Sequence, residues 1–103
     1  MRVIRASQFE GKRAWESDLI AQFDEATVRL HWTDEPYVWH VNTGNEVFAV
    51  LDGAFDMHVR IDGVEDIVRL DVGDIFFAED GTEHVAHPIG PSRVLVVEHP
   101  LSK

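Results

Sequence analysis

The sequence predicts an all-β domain, a small barrel or sandwich, on three observations. Short runs rich in Val, Ile, Phe, Tyr, Trp and Thr are broken along the whole chain by Gly, Asp and Asn, which are strand formers and turn formers respectively. Within several runs apolar and polar residues alternate with a period of two, as on a strand that covers one face. Only residues 7–17 leave room for a helix, and a short one.

The elements follow in order. Residues 19–23 and 27–32 flank Asp24-Glu25 and form a first pair of strands. In the second of them Val28, Leu30 and Trp32 alternate with Arg29 and His31, which places the basic pair on the wet face. Residues 37–41 and 46–51 come next, joined through Thr43-Gly44-Asn45. The run 46–51 is apolar on both faces, with Val47, Ala49 and Leu51 on one and Phe48 and Val50 on the other. Asp52-Gly53 turns the chain into 55–61, where Phe55, Met57, Val59 and Ile61 alternate with Asp56, His58 and Arg60. Asp62-Gly63 leads into 65–70; both Asp-Gly pairs signal tight turns, because glycine takes a positive φ at no steric cost. Gly73-Asp74 precedes 75–78, Glu79-Asp80-Gly81 precedes 84–87, and residues 88–92 precede 93–98. No repeat or linker interrupts this rhythm, so residues 1–103 read as one domain.

Composition narrows the function classes. A chain with 45% hydrophobic and 27% charged residues has the makings of a packed core, not of a disordered segment. The longest apolar stretches, 47–51 and 94–97, are too short to cross a bilayer. Met1-Arg2-Val3-Ile4-Arg5 has no apolar export signal, and the chain has no cysteine, hence no disulfide, thiolate nucleophile or sulfur ligand. A cytoplasmic location is expected. The formal charge of −10 is uneven: residues 1–13 carry Arg2, Arg5, Lys12 and Arg13 against Glu10, a local +3 that leaves −13 on the rest. Such a field repels phosphate backbones and anionic lipid, so neither nucleic acid nor membrane is an expected partner; a small molecule is. Residues 76–77 and 94–97 share the two-sided apolar character of 46–51. In so small a barrel nothing of the chain's own is expected to cover that outer face, and a homodimer packed sheet on sheet would.

One constellation carries chemistry. His40 and Asn42 share a strand face, Glu46 opens the returning strand on the side of Phe48 and Val50, and His84 opens another strand after the Gly81 turn. If these faces line one interior, two imidazoles and a carboxylate converge, a donor set for a divalent transition metal. A structural polar cluster is the alternative, but burying a carboxylate beside two imidazoles without a cation is costly. His87 lies three residues after His84, the wrong parity for a ligand; His31 and His58 fall on polar faces and are expected to be exposed, and His99 belongs to the tail. Trp39 reads as a packing or dimer contact. Phe48, Val50, Met57 and Phe76 are expected in the core and on the pocket wall. No Gly-x-Ser-x-Gly elbow, phosphate-cradling loop or dinucleotide fingerprint competes.

From His40 to Gly53 the chain reads His-Val-Asn-Thr-Gly-Asn-Glu-Val-Phe-Ala-Val-Leu-Asp-Gly, and from Gly73 to His84 Gly-Asp-Ile-Phe-Phe-Ala-Glu-Asp-Gly-Thr-Glu-His. These stretches resemble, in order, the two motifs of the cupin superfamily, and the resemblance extends over about residues 27–98. It implies a double-stranded β-helix, the jelly-roll cupin barrel, with a site similar to three His and one Glu around iron, manganese, nickel or zinc. The chain departs from the pattern: Asn42 replaces the second His, Glu79 the second-motif proline, and Pro88 stands where Asn is often found. The remaining His40, Glu46 and His84 match the two-His-one-carboxylate set of non-haem iron(II) sites, which leaves positions open for substrate. Asn42 would add a weak neutral amide oxygen. The resemblance to stand-alone cupins labelled mannose-6-phosphate-isomerase-like or dioxygenase-like says little about the reaction, since one barrel hosts many. Two functions therefore stand side by side: a metal-dependent oxygenase or isomerase-like enzyme on a small molecule, and a non-catalytic small-molecule binder or sensor that has lost its metal.

Overall fold

The computed structural model describes residues 1–102. Nine strands are formed among them: β1 (Glu16–Gln22), β2 (Thr27–Thr33), β3 (His40–Val41), β4 (Glu46–Asp52), β5 (Ala54–Ile61), β6 (Val64–Asp71), β7 (Ile75–Ala78), β8 (Glu83–Pro88) and β9 (Ser92–Glu98). They pair antiparallel in two sheets, one of five strands in the order β1-β2-β9-β4-β7 and one of four in the order β3-β8-β5-β6. After β2 the chain passes back and forth between the sheets, with only the β5–β6 hairpin staying in one, so neighbours such as β4 and β9 are distant in sequence. This is the expected all-β class and the expected double-stranded β-helix.

The core lies between the sheets. Phe48 and Val50 of β4, Phe55, Met57 and Val59 of β5, Leu70 of β6, Ala86 of β8 and Val94 and Val96 of β9 form one buried cluster. Each large side chain so sealed contributes roughly 1.5–3 kcal/mol of transfer free energy. The alternation read in 55–61 holds through Val59, with Ile61 exposed at the strand's end, and the one read on the inner side of 46–51 is observed. Gly53 joins β4 to β5 at φ +76°, and a Cβ there would lie 2.3 Å from Ser92 Oγ. Only glycine fits both the turn and the approach.

Three expectations are corrected. Residues 7–17 do not form a helix: a single 3₁₀ turn spans Ala6–Gln8, and β1 begins already at Glu16. The segment instead lies flat on the outer face of the five-stranded sheet. Arg93 Nε donates to the Phe9 carbonyl at 2.8 Å, and a Cβ on Gly11 would meet the Trp32 ring at 2.7 Å. A chain held that close cannot wind.

The strand expected over 37–41 shrinks to His40–Val41. Behind Pro36, which cannot donate to a ladder, the Tyr37 N–H still reaches the Ala86 carbonyl at 3.2 Å.

The third correction is the orientation of β2. Leu30 is buried, but on the outer side, while Arg29 and His31 turn inward to a cavity. The outer side is covered in part by the chain's own N-terminal segment rather than left wholly to a partner. Its far edge stays open, with Ile75 and Phe77 of β7 exposed beside Val47 and Ala49 of β4.

Candidate metal centre and its cavity

Three strands bring the donors together. His40 and His84 are directly opposite across the β3–β8 ladder, and their rings stand 4.4 Å apart between centroids. Glu46, first residue of β4, reaches them from the other sheet. One ligand atom from each of His40, Glu46 and His84 lies within 4.8 Å of the other two, a group that could hold a metal ion. Glu46 and His84 are buried and His40 is half-buried, so the group opens on one side.

Backbone carbonyls set the imidazoles. His40 Nδ1 lies 2.9 Å from the Val38 carbonyl and His84 Nδ1 lies 3.0 Å from that of Thr82. A carbonyl only accepts, so each Nδ1 carries a proton and each Nε2 faces the site. This leaves a specific problem at His84, whose Nε2 is 3.1 Å from Glu46 Oε1. Two lone pairs cannot face each other at that distance, so a cation must sit between them: a proton or a metal ion.

The titration behaviour agrees. Burial lowers the His84 pKa, but the hydrogen bond and charge of Glu46 outweigh it, and the net shift is upward. Burial raises the Glu46 pKa, and hydrogen bonding with His84 and Glu98 plus the charges of His84 and His40 bring it below its ordinary value. Glu98, opposite Glu46 across the β4–β9 ladder, takes the other share: burial first, then the adjoining Glu46, push its pKa up to about 8. At neutral pH the metal-free site thus holds a Glu46 carboxylate and a protonated Glu98, beside a His84 whose hold on its proton Glu46 strengthens.

Asn42 occupies a different place from the three donors. It is buried, and its Nδ2 donates to the carbonyls of Gly44 (2.6 Å), Glu79 (3.0 Å) and Ala78 (3.3 Å), tying the β3–β4 turn to the one after β7. It does not line the cavity, and its Oδ1 is buried without a hydrogen-bond partner.

A cavity of about 220 Å³ opens on the donors. Its apolar wall is Trp15, Tyr37, Phe48, Ala86 and Val96, and its polar wall adds Ser17, Arg29, His31 and Glu98 to His40, Glu46 and His84. Of the residues expected on this wall, Phe48 is there. Val50 and Met57 lie in the sealed core instead. Phe76 does not line the cavity; its ring packs 5.8 Å from that of His84. His31, expected on the surface, is a wall residue whose Nδ1 lies 3.4 Å from the Trp15 carbonyl; burial lowers its pKa. His58 is likewise half-covered, stacked 4.0 Å from His87. Trp15, Ser17, Arg29, Tyr37 and Glu98 were not singled out from sequence. Arg29 and Glu98 had a usable signal, charges inside otherwise apolar strands.

Comparison with known proteins finds no family model that matches the chain and no similar curated protein. Solved structures do match. A cupin-2 domain protein from Shewanella frigidimarina is 23% identical with a TM-score of 0.76, over 90% of this chain and 86% of that one. A cupin superfamily protein from Desulfitobacterium hafniense is 16% identical with a TM-score of 0.78, over 91% and 85%. The hydroxypropylphosphonic acid epoxidase of S. wedmorenis is 17% identical with a TM-score of 0.64, over 72% of this chain and 43% of that one. At these identities the likeness shows the fold.

Proposed function

We propose that this chain, a domain of the cupin fold, holds a divalent transition metal on His40, Glu46 and His84 and presents it to a small organic molecule in the cavity. The observation that carries this reading is the pair of carbonyl-locked imidazoles aimed at one buried carboxylate. Iron, manganese, nickel and zinc all take such donors, and two imidazoles with one carboxylate leave coordination positions open. A bound ion would supply Lewis acidity or oxygen activation. The chain's own residues do the rest. Val38 and Thr82 orient the imidazoles, Glu46 neutralises part of the ion's charge, and Trp15, Tyr37 and Phe48 exclude water from the ligand. An oxygenase-like or isomerase-like activity is the reading proposed for such a centre, on a fold shared with part of an epoxidase. Asn42 is left out of the ligand set because it does not line the cavity on which the other three donors open.

One observation favours a second reading. The His84–Glu46 pair with a bridging proton is complete without a metal, which suits a non-catalytic binder built on the same cavity. Elemental analysis of protein purified without added metal decides between them, with His84→Ala as control. About one equivalent of iron, manganese, nickel or zinc in wild type, absent from the variant, supports the metal centre. A wild-type barrel that is empty and takes up no added ion supports the binder.

The open edge of the five-stranded sheet supports a homodimer through β4 and β7, where Ile75 and Phe77 stand exposed. Light scattering of wild type against Phe77→Glu tests it: a dimer that the substitution splits supports the interface, and a wild-type monomer rules it out.

A further inference from the structure

We infer that the cavity selects small carboxylic acids, with the Arg29 guanidinium as the anchor for the ligand's carboxylate. This deepens the small-molecule reading above and names its substrate class. Arg29 is the one Arg or Lys among the cavity-lining residues. It is half-buried, its Nη1 donates to Ser17 Oγ at 3.2 Å, and it joins none of the ion pairs among the described residues. The other arginines paired in this structure meet carboxylates: Arg2 with Asp18, Arg60 with Glu65 and Glu83, Arg69 with Asp56, Arg93 with Asp52. In a chain of net charge −10, a guanidinium turned into a cavity without a carboxylate partner is an anion site waiting for its anion. A guanidinium fork matches a carboxylate in a bidentate way. Ser17 stands beside it as a further hydroxyl donor.

The surroundings agree with that ligand. Glu98, the acid on the same wall, forms no ion pair with Arg29. Arg29 of β2 and Glu46 of β4 are separated in the sheet by β9 alone, roughly 10 Å of strand spacing. A compact acid can therefore be held by its carboxylate at Arg29 while its other end lies against His40, Glu46 and His84. Between them the wall is Phe48, Val96 and Trp15, which suits an apolar or aromatic body. A volume near 220 Å³ limits that body to about one ring, since a dry cavity of about 150 Å³ takes a benzene.

Calorimetric titration with benzoate and with benzamide, its uncharged counterpart, tests the inference in chelator-treated wild-type, Arg29→Gln and Arg29→Lys proteins. The expected result is benzoate binding at least about tenfold tighter than benzamide in wild type, a preference abolished in Arg29→Gln and partly kept in Arg29→Lys. Equal affinity for the two probes, no binding of either at millimolar concentration, or a preference unchanged in Arg29→Gln overturns it. Chelation separates this from the metal reading. An Arg29-dependent preference in a protein that takes up no metal refutes the metal centre alone, and a metal-loaded protein with no preference refutes the carboxylate site alone.

Discussion

His84 Nε2 lies 3.1 Å from Glu46 Oε1 while His84 Nδ1 is committed to the Thr82 carbonyl at 3.0 Å. The space between the two residues therefore belongs to a cation, and proton and metal compete for it. Metal affinity should rise with pH, by about tenfold per unit while one proton is displaced. The rise should continue above the ordinary histidine range, because the His84 pKa is raised. Competition titrations with a chromogenic chelator between pH 6 and 8 would read the slope. A flat profile would mean the metal does not displace that proton.

Removing His84 leaves Glu46 buried without its partner. His84→Ala should lower metal-free stability by about 3 kcal/mol, the usual cost of breaking a buried pair from one side. Urea unfolding reads the midpoint. His84→Gln, which can still donate to the carboxylate, should recover a good part of the loss but not metal binding.

Glu98 sets a pH dependence of opposite origin. Its folded pKa of about 8 is above its unfolded value of 4.5, so between these the folded protein keeps a proton that the unfolded chain releases. Its contribution is present in full below the unfolded pKa and lost as pH rises through the folded one. Metal-free wild type should lose thermal stability from pH 5 to 8. In Glu98→Gln that slope should flatten. An identical slope in both proteins would remove Glu98 as its source.

Asn42 and Gly53 test the frame beneath the site. Asn42→Asp places a carboxylate against the carbonyls of Gly44, Ala78 and Glu79 and should cost more than Asn42→Ala, itself about 1–3 kcal/mol. Were Asn42→Asp as stable as wild type, with tighter metal binding, the side chain would be a ligand rather than a strut.

Gly53→Ala combines a φ of +76° with a clash at Ser92. About 1–2 kcal/mol is expected from the backbone alone, and Ser92→Gly should not restore that part. Thermal unfolding of Gly53→Ala with and without Ser92→Gly separates the Ser92 clash from the backbone strain and the 2.9 Å approach to the Pro91 carbonyl.

Much of this was legible in the chain itself. Asp52-Gly53 and Asp62-Gly63 mark their turns because few other residues accept the backbone they require. Phe55, Met57 and Val59 declare a buried face because no other arrangement keeps them dry. His40, Glu46 and His84 stand out as the imidazole and carboxylate donors within the two motifs, and the structure brings those three together. Other features depend on contacts between distant parts of the chain. Residues 7–17 are flattened by Arg93 and Trp32, which no local propensity records.

The limit is clearest at β2. Alternation determined that Arg29 and His31 share one face and Leu30 has the other, since a strand's period is two whatever surrounds it. Which face turns inward is a property of the assembled molecule. It was decided by the N-terminal segment lying over the outer face and by a cavity large enough to keep a guanidinium hydrated or paired. Sequence determined the barrel and its three candidate ligands; tertiary structure decided that a basic residue faces them, because burial depends on what packs across from a strand and not on the strand.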